Sequence, residues 1–190
     1  MNPNRKKVVA VIGDKKIEEG GVKDQIAFAI GKALVDNGYR VQTGGYGGVM
    51  SAAMRGARAS ENYKEGDTIA ILPSFDAEWA SEYADIVIPT GIDMLRNAIV
   101  ANADAVIGVG GGAGTLCEYA FSWSLKRLII AFENSMGWSE KLAGTRIVEE
   151  PRYPDIPEDK IFAVTTPEQA IEILKEYIDR YDDRHTGIKR

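Results

Sequence analysis

Residues that could do chemistry concentrate in one stretch, "GVGGGAGTLCE" (108–118), with five glycines in seven positions, then Thr115 and Glu118. Glycine in a folded backbone costs roughly 0.5–1 kcal/mol relative to alanine, so such a cluster needs a reason. A glycine-rich turn that ends a strand and opens a helix presents free backbone N–H groups and a positive helix end, which suits an anion and above all phosphate. Gly111, Gly112 and Gly114 would form that cradle, and Thr115 would add a hydroxyl. Glu118, about one turn further on, would look toward the mouth of the loop. A second cluster, "TGGYGGVM" (43–50), repeats the pattern with Gly44, Gly45, Gly47 and Gly48. Arg96 stands in a segment otherwise apolar or small, where it either snorkels to water or reaches an anionic ligand.

Other chemistries are weaker on the same residues. "GVGGGA" formally matches the dinucleotide fingerprint, with Glu133 at the end of the next strand as a ribose-binding carboxylate. It lies on the fifth strand, however, and not the first. No Lys-Ser or Lys-Thr follows either glycine cluster, so the nucleoside-triphosphatase phosphate loop is absent. The single cysteine, Cys117, and the single histidine, His185 in a polar tail, make a Cys–His pair, a histidine-based zinc site or a Ser-His-Asp triad a poor fit. Arg55 and Arg58 fall near a helix end and read as surface residues that complement its dipole.

The elements that must position these residues alternate in type. Strands are expected at Lys7–Gly13, 39–44, 67–73, 84–89, 104–110, 127–133 and 160–165. Helices are expected at Val22–Asn37, 47–60, 91–103, 115–126 and 166–181. Thr166, Pro167 and Gln169 mark a capping box with proline at the first helical position. Strands joined through helices imply a mostly parallel, doubly wound Rossmann-like α/β sheet with helices on both faces, whose ligands sit at the C-terminal strand ends. A single domain over 1–180 and a polar tail over 181–190 are expected. The loop 74–85, with Trp79 and Tyr83, reads either as a lid or as a plain connection. Tyr119, Phe121, Trp123 and Leu125 read either as core or as an interface.

The whole chain sets broad bounds. Its 190 residues are 45% hydrophobic, enough for one core, and its net charge is −5, which argues against a nucleic-acid partner. Neither a secretory signal nor a membrane-spanning apolar run is evident, so a cytoplasmic protein with no membrane partner is expected.

Taken together, "GGYGGVM" (44–50), "ILP" (71–73), "MLRNAIVANADAVIGVGGGAGTLCE" (94–118) and "GW" (137–138) resemble the Lonely Guy family, and most closely its branch of molybdenum-cofactor carrier proteins. The resemblance spans roughly Val8 to Gly137. It implies a nucleoside 5′-monophosphate phosphoribohydrolase, releasing free base and ribose 5-phosphate, with Glu118 and Arg96 as catalytic residues and the second glycine loop holding phosphate. Glu118 would stabilise oxocarbenium character or orient water, as carboxylates do in glycosidases. Two positions depart from the catalytic pattern: Gly110 replaces a proline, and Asn97 replaces a lysine and is left as a ligand contact. Both departures match the carrier branch, which implies the alternative, a binding protein for molybdenum cofactor or a related phosphorylated ligand. Neither reading requires a resident cofactor or metal. Homodimers or higher homo-oligomers are implied as well.

Overall fold

Short β-branched runs become strands buried on both faces: every residue of Ala105–Val109 and of Leu128–Phe132 is buried. The computed structural model describes residues 5–182. Seven strands, β1 (Val8–Gly13), β2 (Arg40–Thr43), β3 (Thr68–Leu72), β4 (Ile86–Pro89), β5 (Ala105–Val109), β6 (Leu128–Phe132) and β7 (Ile161–Val164), form one sheet in the order β4-β3-β2-β1-β5-β6-β7. All neighbours pair in parallel, with Val9 opposite Val41 on one side of β1 and opposite Ala105 on the other. The fold is therefore the Rossmann-like α/β sheet expected, and wholly parallel among the described residues.

Alternation along β1 assigns the two faces. Val9 and Val11 join the core under α1 (Val22–Asp36), α2 (Val49–Arg58) and α6 (Pro167–Tyr177). Ala10 and Ile12 join the smaller core under α3 (Asn97–Ala101) and α4 (Ala113–Ser124). The helix expected over 91–103 divides into a 3-10 turn, Asp93–Arg96, followed by α3. Asp93 sits at φ 49°, outside the right-handed helical region, so an α-helix cannot run through it. Helix α5 (Gly137–Leu142) is not among the expected helices, being too short for a hydrophobic period to register. The capping box at Thr166 and Gln169 is present. Tyr181, at the start of the expected tail, is fully buried, and its hydroxyl donates to Asp159 at 2.7 Å. Among the described residues no helix is long and apolar enough to cross a membrane.

Helices α1 and α2 pack backbone to backbone through two glycines. A Cβ at Gly31 would lie 1.9 Å from the Ala53 carbonyl oxygen, and one at Gly56 would lie 1.9 Å from that of Phe28. Neither contact has a flexible side chain to yield, so a methyl group must push the helices apart. Gly31→Ala is expected to destabilise the protein by about 1–3 kcal/mol, the usual range for overpacking, read as a lower urea midpoint at unchanged m. An unchanged midpoint would mean that the two helices are not held this closely.

Candidate site at the switch point of the sheet

Strand β1 lies between β2 and β5, so the chain leaves it in both directions and a crevice opens at its C-terminal end. Asp14, the residue after β1, joins the two glycine loops that flank this crevice. Its Oδ2 accepts from the Gly111 N–H at 2.9 Å and from Lys23 Nζ at 2.6 Å. Its backbone carbonyl accepts from the Val49 N–H at the start of α2, at 2.9 Å. The second loop is also held from behind by α5. The Trp138 N–H donates to the Gly111 carbonyl at 3.0 Å, and Ser139 donates to the Gly110 carbonyl through both N–H (2.9 Å) and hydroxyl (2.7 Å).

The glycines sort into two kinds. Gly45 (φ 85°), Gly48 (φ 66°), Gly110 (φ 66°) and Gly111 (φ 100°) occupy left-handed backbone that only glycine adopts readily. Gly44 is needed for space, because a Cβ there would lie 2.6 Å from the Arg96 guanidinium. The fold requires neither Gly112 nor Gly114: an added Cβ would meet nothing within 4 Å, and neither has positive φ. These two open α4, where the first N–H groups have no partner inside the helix. They line a cleft of about 390 Å³ together with Thr115, Glu118, Arg96, Asn97, Asp14, Lys15, Tyr46, Met50, Asp93 and Met94. Of the sequence-derived candidates, Gly112, Gly114, Thr115, Glu118, Arg96 and Asn97 thus meet in one cleft. Gly44, Gly45, Gly47, Gly48 and Gly111 do not line it; Gly47 lines an adjoining hollow, and the others shape the loops.

Arg96 and Glu118 are both buried and bonded to each other, Arg96 Nη1 donating to Glu118 Oε1 at 3.0 Å. Arg96 Nε is buried without a hydrogen-bond partner, which leaves the guanidinium a donor to spare. Burial pushes the Glu118 carboxyl from 4.5 up to about 7, and the charge and hydrogen bond of Arg96 draw it part of the way back. Near neutrality the group can therefore take or give a proton, or accept from a ligand hydroxyl. The raised value means that the folded state binds more protons than the unfolded state between pH 4.5 and about 7, so stability falls as pH rises through that window. At about 1.4 kcal/mol per unit the loss is roughly 3 kcal/mol at most. Glu118→Gln should lack it: urea midpoints at pH 5 and pH 8 should drop in the wild type and stay flatter in the variant. Parallel profiles would show that Glu118 does not titrate in this window.

Several sequence candidates lie elsewhere. Glu133 is exposed and outside the cleft, and Gly108, first glycine of the fingerprint, makes room for the Tyr119 hydroxyl, to which a Cβ would come within 1.8 Å. Arg55 pairs with Asp24 and Arg58 with Asp85, each at 2.8 Å. Cys117 is half-buried and does not line the cleft, and His185 lies outside the described residues. Tyr119 and Trp123 are core, while Ile86 and Ile88 of β4 and Met94, Leu95 and Ile99 around Arg96 are exposed. Tyr83 packs against the main core and is no lid, whereas Trp79 stands exposed beside the cleft. Sequence reasoning passed over Asp14, Lys15, Tyr46 and Asp93. The available signal for Asp14 was its place directly after the first strand of a doubly wound sheet.

A doubly wound sheet with a glycine-lined crevice at its switch point is the frame of a broad class of nucleotide- and phosphate-binding folds. Within that class, the chain matches the SLOG cluster4 family over residues 6–171 and belongs to it. The Lonely Guy resemblance and its carrier branch hold accordingly. An uncharacterized protein of Archaeoglobus fulgidus is 32% identical over 144 residues, 75% of this chain and 88% of that protein. The molybdenum cofactor binding protein of Rippkaea orientalis superposes with a TM-score of 0.75 at 29% identity, covering 92% of this chain and 99% of that one. The Moco carrier protein of Chlamydomonas reinhardtii superposes with a TM-score of 0.71 at 26% identity, over 93% and 99%.

Proposed function

We propose that this protein binds and carries a small phosphorylated ligand in the crevice, with molybdenum cofactor or a related pterin phosphate as the cargo. The observation that carries this reading is the pair Gly112 and Gly114, glycines that the fold does not need, at the open first turn of α4. Their missing side chains leave backbone N–H groups within reach of a phosphate. Thr115 adds a hydroxyl, and Arg96 lines the same cleft with its guanidinium charge. Tyr46, Met50 and Met94 supply apolar walls for a flat ring, and Asn97 a polar edge. The similarity to proteins described as molybdenum-cofactor binders and carriers supports the same cargo.

Phosphoribohydrolase activity is the second reading, favoured by one observation: the Arg96–Glu118 pair lines the cleft with a carboxyl raised to about 7. Against turnover stands Gly110. Its φ of 66° is closed to proline, whose ring fixes φ near about −65°, so the loop is not built as the catalytic pattern would have it. A homo-oligomer, implied by the resemblance, would bury the exposed Ile86, Ile88, Leu95 and Ile99.

Two experiments test the proposal. Gly114→Ala should raise stability by about 0.5–1 kcal/mol, because alanine is the better helix former, and should weaken binding of inorganic phosphate or GMP at least about tenfold, because the methyl group fills the cradle. A stable variant that binds as the wild type does would remove the cradle from the reading. Incubation with a panel of nucleoside 5′-monophosphates, N6-modified AMP included, followed by chromatography, should show no free base while the ligands raise Tm. Base release that disappears in Glu118→Gln would decide for the hydrolase.

A further inference from the structure

The crevice continues past the cleft. Beyond Lys15 and Tyr46 lies a second hollow of about 330 Å³, lined by those two residues and by Gly47, Ser74 and Trp79. The main cleft, at about 390 Å³, shares Lys15 and Tyr46 with it, so the two are neighbours across one wall. Each is near the lower end of the range for small-molecule pockets, about 300–1,000 Å³. A ligand larger than a mononucleotide would use both.

The hollow is built from an exposed aromatic ring and an unneutralised charge. Trp79 is 66% exposed, yet the turn that carries it is pinned. Asp76 caps that 3-10 turn by accepting from the Glu78 N–H at 2.9 Å. The Ser81 N–H donates to the Gly45 carbonyl at 2.8 Å, and the Ser81 and Ser51 hydroxyls are bonded at 3.0 Å. The Gly91 N–H donates to the Ser74 carbonyl at 3.1 Å. The backbone that carries the exposed indole is thus tied to the first glycine loop and to α2. Lys15 has no ion-pair partner among the described residues. Its Nζ lies over the Tyr46 ring, 4.3 Å from the centroid. That contact fixes a cation at the wall between the hollows without cancelling its charge.

We propose that this hollow is the second half of the ligand site. It takes a planar heteroaromatic ring on Trp79, and Lys15 meets the charge that bridges the halves. The ligand class is therefore bipartite and pyrophosphate-linked, as in a dinucleotide or a nucleotide-bearing pterin. One phosphoryl group lies at the start of α4, and the next passes Lys15. This rests on the phosphate-binding reading of the main cleft.

Isothermal titration of the purified protein with GMP and with diguanosine pyrophosphate tests it. Guanine is chosen because its pyrimidine half carries the same amino and oxo groups as a pterin. The pyrophosphate-linked probe should bind roughly tenfold tighter than GMP, in keeping with one stacked base. Trp79→Ala should remove that gain while leaving the GMP affinity within about twofold, since Trp79 does not line the main cleft. Trp79→Phe should restore most of the gain. Equal affinities for the two probes in the wild type, or a gain that survives Trp79→Ala, overturns the second half-site and leaves the phosphate cradle standing. Failure of both GMP and inorganic phosphate to bind overturns the cradle itself, and this inference with it.

Discussion

One aspartate holds the crevice together. Asp14 leaves the central strand and is bonded to both flanking loops, to Gly111 through its carboxylate and to the start of α2 through its carbonyl. Backbone that must stay open to a ligand has few ways of being fixed, because its own hydrogen bonds point outward. Bonds to a half-buried side chain at the foot of the crevice are one such way, and Lys23 supplies the counter-charge to the carboxylate. Gly110 and Gly48 follow from this arrangement: a Cβ at Gly110 would strike Asp14 Oδ2 at 2.4 Å, and one at Gly48 would strike the Asp14 carbonyl oxygen at 2.2 Å. Part of the glycine richness that marks this chain thus answers to the brace, whereas Gly112 and Gly114 have open space beside them and ordinary φ.

The charged pair in the cleft obeys the same economy. Arg96 lies against Gly44 of the first loop, and its guanidinium reaches across to Glu118 on α4. Two charges taken out of water need excellent geometry to break even. Here one bond joins them, and Arg96 Nε is left unpaired, so the pair is under-satisfied as it stands. Under-satisfaction of this kind is better explained by binding than by stability.

The fold was legible because its signals are local and repeated. β-branched runs alternating with 3.6-period stripes admit little besides a parallel sheet, and Thr166 announced its helix by chemistry alone. The core of the site was legible too, since Gly112, Gly114, Thr115, Glu118 and Arg96 carry their reasons in residue type and spacing. What stayed hidden depends on distance along the chain. Asp14 lies 97 residues from Gly111, and no spacing rule connects them. The first glycine cluster looked like a second cradle because a turn that needs φ > 0 and a turn that needs an open backbone use the same residue. Only the space around each glycine separates the two cases. Short elements such as α5 and the turn at Asp93–Arg96 fall below the length at which a period can be read.

The geometry at Gly110 also constrains how such a site could change its chemistry over evolutionary time. Proline there would need a different backbone angle, and the space beside it already holds the carboxylate of Asp14 and the end of Lys23. A single substitution toward the catalytic loop would therefore pass through a broken brace before any activity was gained. The neighbouring Asp14 and Lys23 would have to move first, and their ion pair is part of what holds the second loop. A barrier of this kind would put the proline-bearing loop that the resemblance implies for catalytic relatives out of reach of a single substitution in this chain.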